Sequence, residues 1–363
     1  MKKTILITGG TGYIGSHGVV AFEQAGYKTV IVDNLSNSSI NTLDGIEKIL
    51  GYKPDFYQID LRDILSLDEL FKKYDFDGVV HFAGLKAVGE SCDKPLEYFD
   101  NNIVGSLKLF ELMNKYDVKN IIFSSSATVY DMSTTQDSPH PSPLPRGEGI
   151  DQLGISENNA TGNTTNPYGT TKYLLEQILI DLSKFSAFKV MNLRYFNPIG
   201  AHNSGYLGED PFGIPNNLLP YIMKVANGEL KQLQVFGSDY DTIDGTGVRD
   251  YIDVVDLIDG HLKAFEKLIT HPPAGTSLEK GRNLGQFEVY NLGVGKGVSV
   301  LEMISESEKV TGKKIDYKLV DRRPGDVAQV FCDPSKALNE LGWNSETSLE
   351  NSLKNSWKFY SSK

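Results

Sequence analysis

The chain has 363 residues, 40% of them hydrophobic, enough for two domains or one large α/β unit with a real core, and this excludes a wholly disordered or fibrous chain. Asp and Glu (47) outnumber Lys and Arg (36), giving a net charge of -11 that repels nucleic acid or an anionic bilayer overall while leaving room for a small anion in a locally basic pocket. Two cysteines, Cys92 and Cys332, are too few for a disulfide framework, and the six histidines show no metal-ligand spacing.

In chain order, the first β-branched run, 4–8, leads straight into Thr8-Gly9-Gly10-Thr11-Gly12-Tyr13-Ile14-Gly15 and a helix over 14–24. Glycines at 9, 12 and 15 suit a tight turn, a backbone bare enough for pyrophosphate to approach, and close helix packing, with the helix N-terminus facing the phosphates. A second strand, 29–33, ends at Asp33, which can accept both ribose hydroxyls of an adenosine but repels a 2′-phosphate. No Arg occupies Asn34, Leu35, Ser36 or Asn37, so NAD is expected rather than NADP. Strands 56–60 and 79–82 close on Asp60-Leu61 and Phe82-Ala83-Gly84 at the same edge, with helices over 66–74 and 96–116 between and after them. Such alternation predicts an α/β fold, a Rossmann-type doubly wound parallel sheet with ligands at the strands' carboxyl ends.

A fifth strand, 121–124, runs into Ser124-Ser125-Ser126, and a long helix over 168–185 opens on Tyr168-Gly169-Thr170-Thr171-Lys172. Tyr168 and Lys172 share a helix face. A lysine ammonium and the positive nicotinamide ring both favour the phenolate, so Tyr168 can exchange a proton with a substrate hydroxyl that a serine orients. Taken alone, this spacing more often marks a half-buried Tyr with a solvent-facing Lys; the glycine turn and the serine run turn the reading toward function. Residues 133–165 are nearly devoid of large apolar side chains and 138–149 are dominated by Pro and Gly, which predicts an irregular loop. After a strand at 189–194 come loops over 197–217 and helices over 218–227, 254–269 and 300–311, read as a smaller α/β substrate-binding lobe. The expected division is 1–195 for the cofactor lobe, with returning elements near 233–265, and 196–363 mainly for the substrate. Arg249 and Arg323 come from separate segments of that lobe and could clamp one diphosphate.

The stretches 8–17 (TGGTGYIGSH), 81–91 (HFAGLKAVGES), 94–102 (KPLEYFDNN), 123–130 (FSSSATVY), 166–172, 193–201 (LRYFNPIGA), 208–221 (GEDPFGIPNNLLPY) and 244–252 (DGTGVRDYI) carry a specific resemblance. Over nearly its whole length the chain resembles the extended short-chain dehydrogenase/reductase family, in its nucleotide-sugar epimerase branch. The resemblance implies interconversion of UDP-galactose and UDP-glucose through a transient 4-keto sugar, with Tyr168 as acid/base, Lys172 as its electrostatic partner and Ser126 positioning the sugar oxygen. It implies an NAD site formed by Gly9, Gly12, Tyr13, Ile14, Gly15, Asp33, Asn34, Asn37, Asp60, Leu61, Phe82, Ala83, Gly84, Lys86, Asn101, Ser124 and Phe196 with the Tyr and Lys. Asn197, Asn217, Leu218, Phe236, Arg249, Arg323 and Asp326 are then expected at the UDP-sugar. Relatives vary in bulk at the position of Val330, where a small residue would admit N-acetylated hexoses.

Two departures and two rivals follow. The loop between Tyr130 and Tyr168 is longer than in relatives by roughly fifteen to twenty residues, which closure entropy tolerates, and Asp131 stands where a Gly is usual. A nucleotide-sugar 4,6-dehydratase would need a carboxylate near the serine, but Ser126 is followed by Ala127-Thr128. The other rival is a catalytically silent NAD-sensing protein. A cytoplasmic homodimer, paired through helices over 96–116 and 171–185 as in relatives, is the expected state, without nucleic-acid or membrane partners.

Overall fold

The computed structural model describes residues 2–133, 154–211, 213–270, 285–323 and 326–362; beyond Ser133, the expected irregular loop over 133–149 lies outside the described residues. Six strands come first in the chain: β1 (Thr4–Thr8), β2 (Lys28–Asp33), β3 (Asp55–Gln58), β4 (Gly78–His81), β5 (Asn120–Ser126) and β6 (Lys189–Tyr195). With Gln286–Leu292 they form one seven-stranded sheet in the order Gln286–Leu292, β6, β5, β4, β1, β2, β3, every pair parallel. Strand order reverses at β1 and β4, which opens a crevice at their carboxyl ends. Thr8 pairs with both Val32 and His81, so the turn after β1, Asp33 and Phe82 meet at one edge.

Both faces of the sheet are covered, which is why its strands read as unbroken apolar runs. Ile5 and Ile7 point into a layer with Phe22 and Phe265 under the helices Tyr13–Gln24 and Val254–Thr270. Leu6 points the other way, among Leu70, Leu109 and Leu179 under Ile64–Lys73, Gly105–Lys115 and Pro167–Phe185. Each such side chain stabilises the fold by roughly 1.5–3 kcal/mol.

The helix expected over 96–116 is broken into Pro95–Tyr98, a π-helical turn Phe99–Val104 and Gly105–Lys115. The cause lies in Asn102. Its Oδ1 accepts the Leu85 N–H at 2.8 Å, while Nδ2 donates to the Leu85 carbonyl at 3.0 Å and to Thr171 Oγ1 at 3.1 Å. These long-range bonds favour a widened turn. A helix at Thr42–Leu50, which the sequence reading passed over, covers the far end of the crevice.

In the second half, Val248–Asp253 pairs with Gly297–Ser299, Gln329–Val330 and Asn197–Ile199, around a core that includes Ile222, Met223, Val235 and Leu353. Of the returning elements expected near 233–265, the helix Val254–Thr270 does pack on the large sheet. The strand Leu233–Phe236 does not: it pairs with Tyr317–Val320, because Leu233 and Val235 are buried in the second core. The returning strand is instead Gln286–Leu292, which pairs with β6 at that edge of the sheet.

Candidate active site

The turn after β1 is built for close backbone approach. Gly9 has φ 70°, and a Cβ there would lie 2.7 Å from Ala83 N; a Cβ on Gly15 would lie 2.1 Å from the Gly9 carbonyl. No side chain caps the N-terminus of Tyr13–Gln24 at Gly12, so its first N–H groups are left for a ligand. A cleft of about 840 Å³ opens here. It is lined by Gly9, Gly12, Tyr13, Ile14 and Gly15 from the turn after β1, by Asp33, Asn34, Asn37, Asp60 and Leu61 after β2 and β3, and by Phe82, Ala83, Gly84, Lys86 and Asn101 after β4. A bare turn, an uncapped helix end and an acidic residue at the end of β2 fit a dinucleotide with an unphosphorylated ribose.

Asp33 is already oriented: Oδ1 accepts from Leu35 N (2.9 Å) and Ser38 Oγ (3.0 Å), and Oδ2 from Thr11 N (3.1 Å). Asp60 accepts from Asn34 Nδ2 at 2.9 Å and is gripped by Arg62, whose guanidinium holds its carboxyl well below the usual range. Arg62 also reaches Asp100 at 2.6 Å, so it is committed to carboxylates rather than to a phosphate. Lys86 pairs with Glu209 at 2.8 Å, and the same Glu209 oxygen accepts from Asn217 Nδ2 at 2.7 Å. Glu209 thus links a residue expected at the cofactor to one expected at the substrate, and neither it nor Arg62 was singled out from sequence.

The Ser-Tyr-Lys group lies outside the cleft's lining, as do Ser124 and Phe196. It is reached through Tyr195, which lines the cleft and pairs across the sheet with Ser126. Asn166 caps the helix Pro167–Phe185, its Oδ1 accepting from Gly169 N at 2.8 Å, which fixes Tyr168 in the first turn. Ser126 Oγ accepts from Thr128 N (3.2 Å) and Thr128 Oγ1 (3.0 Å), leaving its own proton to give. Lys172 is buried, its Nζ donating to the Ser124 carbonyl at 2.7 Å and lying 5.9 Å from the centre of the Tyr168 ring. Burial pushes the Tyr168 phenol up to about 12, against the Ser126 hydroxyl, and pushes Lys172 down to about 8, against Glu176. Proximity of the lysine was expected to favour the phenolate. In this structure burial outweighs it, since the ammonium is spent on a carbonyl oxygen rather than on the phenol.

On the other side, Arg249 Nη1 donates to the Val248 carbonyl at 2.9 Å and Nη2 lies 3.6 Å from Asp326. Arg323 stacks on Phe236, 3.8 Å from the ring centre, and its carbonyl accepts from Asp326 N at 3.2 Å. These four residues form one group. Asn217 and Leu218 open the helix Leu218–Ala226; Asn217 takes the N-cap position, but its side chain turns to Glu209 rather than capping. Asn197 is exposed at the start of Asn197–Ile199. Val330 pairs in register with Arg249 and packs on the cluster of Tyr130, Ile155, Phe196 and Cys332.

A doubly wound sheet with a glycine turn at its switch point, and a Ser, a Tyr and a Lys on the adjoining strand and helix, defines a dinucleotide-dependent α/β enzyme. The chain belongs to the NAD dependent epimerase/dehydratase family, whose sequence profile matches residues 5–276. It is 50% identical over 359 residues to UDP-glucose 4-epimerase of Bacillus subtilis, covering 99% of this chain and 97% of that one. Among solved structures it is similar to UDP-glucose 4-epimerase from Bifidobacterium longum in complex with NAD+ and UDP (46% identity, TM-score 0.86, 99% of this chain and 98% of the other). It is also similar to the Stenotrophomonas enzyme with bound NAD and formylated UDP-arabinopyranose (42% identity, TM-score 0.86, 99% and 98% covered).

Proposed function

We propose that the chain is an NAD-dependent UDP-glucose 4-epimerase that interconverts UDP-galactose and UDP-glucose through a transient 4-keto sugar. The observation that carries this reading is the meeting of Ser126, Tyr168 and Lys172 beside the dinucleotide cleft, in a chain that aligns end to end with epimerases rather than with either rival. NAD held by the glycine turn, Asp33, Asp60 and Lys86 would supply the acceptor and donor for the C4 hydride, and the ketose, once turned over, presents its opposite face. Tyr168 Oη takes the proton of the sugar 4-hydroxyl and gives it back, so configuration inverts without net redox change. Ser126 Oγ donates to the same sugar oxygen. Lys172, which lies near the phenol ring, would with Ser124 and Phe196 help hold the cofactor. Arg249 and Arg323 hold the diphosphate while Asp326 takes the ribose, Phe236 the uracil, and Asn197, Asn217 and Leu218 the sugar and phosphates. Binding at UDP, remote from C4, keeps the substrate anchored while the ketose turns over.

The small side chain of Val330, packed on the cluster that includes Phe196, supports acceptance of an N-acetyl group, so UDP-N-acetylhexosamines are also substrates. Residues 1–195 with the returning strand and helix serve the cofactor, and 196–363 mainly the UDP-sugar. The working state is a cytoplasmic homodimer. Exposed Leu96, Val104, Leu107, Leu174 and Phe185, on or beside the helices expected to pair, support the dimer, and no helix among the described residues is long and apolar enough to cross a membrane.

The test is to denature the purified protein and assay released NAD(H), then to give native protein UDP-galactose with no added cofactor. Released cofactor and steady formation of UDP-glucose are expected; absence of both overturns the reading. Failure to convert UDP-GlcNAc overturns the part assigned to Val330.

A further inference from the structure

One turn beyond Lys172, the helix Pro167–Phe185 buries a second charged side chain, Glu176, which is 1% exposed. Its carboxylate is held from both neighbouring strands. Ser125 Oγ on β5 donates to Oε1 at 2.5 Å; from β6, Arg194 Nε donates to Oε1 at 3.0 Å and Nη2 to Oε2 at 2.6 Å. Arg194 is itself buried, with its guanidinium 4.8 Å from the centre of the Tyr130 ring, and Tyr130 Oη donates to Asn291 Oδ1 at 2.6 Å. A buried ion pair is a poor stabiliser, because desolvation offsets most of the Coulomb attraction. Its position points to another use.

Lys172 and Glu176 stand at i and i+4 on one helix face. The adjacent serines of β5 separate their partners: the Ser124 carbonyl takes Lys172 and the Ser125 hydroxyl takes Glu176. The groups around Lys172 are Tyr168 and Glu176 on its own helix, Ser124 on β5, His81 on β4, and Tyr195, which reaches Ser124 from β6. Arg194 on β6 bears on the carboxylate. Among these, Glu176 supplies the negative charge that opposes the burial of an ammonium.

We propose that Glu176, clamped by Arg194 and Ser125, is a positioning residue of the site: its carboxylate keeps the buried Lys172 side chain charged and aimed along the end of β5. Ser125 and Arg194 fix the helix against both strands at that level, so the clamp sets the height of Tyr168 and Lys172 above Ser124 and Ser126 as well as the charge. The inference rests on the epimerase reading only for its kinetic arm.

The test uses Glu176→Gln, which keeps the shape and removes the charge, and the pair Glu176→Met with Arg194→Met, which removes both ions and is the arrangement buried sites tolerate best. Nitrogen NMR titration of lysine Nζ in the purified protein should show Lys172 losing its proton about one pH unit lower in Glu176→Gln, which leaves the Arg194 charge unpaired, and lower by less in the double variant, where both charges go. The alkaline limb of kcat for UDP-galactose should move down with it, to roughly a tenth of the parent activity at a pH above the shifted midpoint, with KM within about twofold. An unmoved Lys172 titration in whichever variant folds overturns the proposal, even where activity or stability is lost, because that is what a merely structural pair would give. A shifted titration in the variants, where the unmutated protein itself turns over no UDP-galactose, would uphold the clamp and refute the epimerase reading.

Discussion

The dinucleotide cleft and the group of Arg249, Arg323, Phe236 and Asp326, to which the proposed function assigns the two sets of phosphates, are built by different means in an acidic protein. Around the cleft, main-chain groups do much of the positioning: Gly9 and Gly15 pack backbone on backbone, and two N–H groups plus a serine orient Asp33. Around the diphosphate group, side chains are occupied with one another, Arg249 with Asp326 and Arg323 with the face of Phe236. A backbone cradle is set by the sheet and cannot yield, whereas a paired side chain can change partner when a ligand arrives. Damage to the first should therefore appear as lost fold and lost cofactor, and damage to the second as lost affinity alone.

The chemistry is assigned to Ser126, Tyr168 and Lys172, and its removal should have the largest effect. Tyr168→Phe keeps the ring that packs near Lys172 but removes the proton carrier, so kcat should fall by roughly a thousandfold while bound NAD stays at the parent level. A fall in kcat/KM carried mainly by KM would place Tyr168 among the binding residues instead. Next comes Gly15→Ala. The new Cβ would stand 2.1 Å from the Gly9 carbonyl, and neither atom belongs to a side chain that could rotate away. A loss of about 3 kcal/mol in urea unfolding, together with loss of cofactor from the purified protein, is expected; a variant of parent stability that still retains NAD would show that the turn is not the rigid part. On the other side, Arg249→Ala should raise KM for UDP-galactose about tenfold or more, as loss of a charged hydrogen bond does, with unchanged cofactor content. Loss of NAD from that variant would erase the contrast between the regions.

How much was legible in advance follows the same division. The ends of β1, β2 and β4 and the Tyr168–Lys172 spacing are local patterns, read directly from β-branched runs, glycine positions and helix periodicity. The π-helical turn at Phe99–Val104 is not local: it depends on Asn102 bonding Leu85 and Thr171, far along the chain, and the one available hint was a pair of Asn residues, 101 and 102, inside a helical pattern. Glu209 and Arg62 escaped notice for a similar reason, since an acidic or basic residue in a loop shows its partner only when the chain is folded. The returning elements were expected near 233–265, whereas the returning strand lies later, at Gln286–Leu292; its alternating pattern is no clearer than that of Leu233–Phe236, and which sheet each joins is decided by the core beneath it.

The smallest expected effect concerns acid. Burial pulls His81 down from 6.5 to about 3, and His17 and His261 to about 4. Each stays neutral in the fold while the unfolded chain takes up a proton below 6.5, so each contributes stability that is complete above 6.5 and is lost as pH falls toward 4. All three belong to the cofactor region: His81 bonds Thr8 and Ser106 beneath the glycine turn, His17 lies in Tyr13–Gln24 and His261 in Val254–Thr270. Asp253, in the strand that joins the two halves, works in the opposite sense. Burial raises it from 3.8 to about 6, so the fold retains a proton that the unfolded chain releases, and lowering pH through 6 favours the fold at that residue; buried Asp250 is raised as well. The lowered histidines outweigh the raised Asp253 and Asp250, so unfolding takes up protons on balance and stability falls as pH drops from 6 toward 4. Urea unfolding measured at successive pH values checks the slope. Replacing His81 with Asn should flatten it, and a slope unchanged by that substitution would move the acid-sensitive element out of the cofactor region.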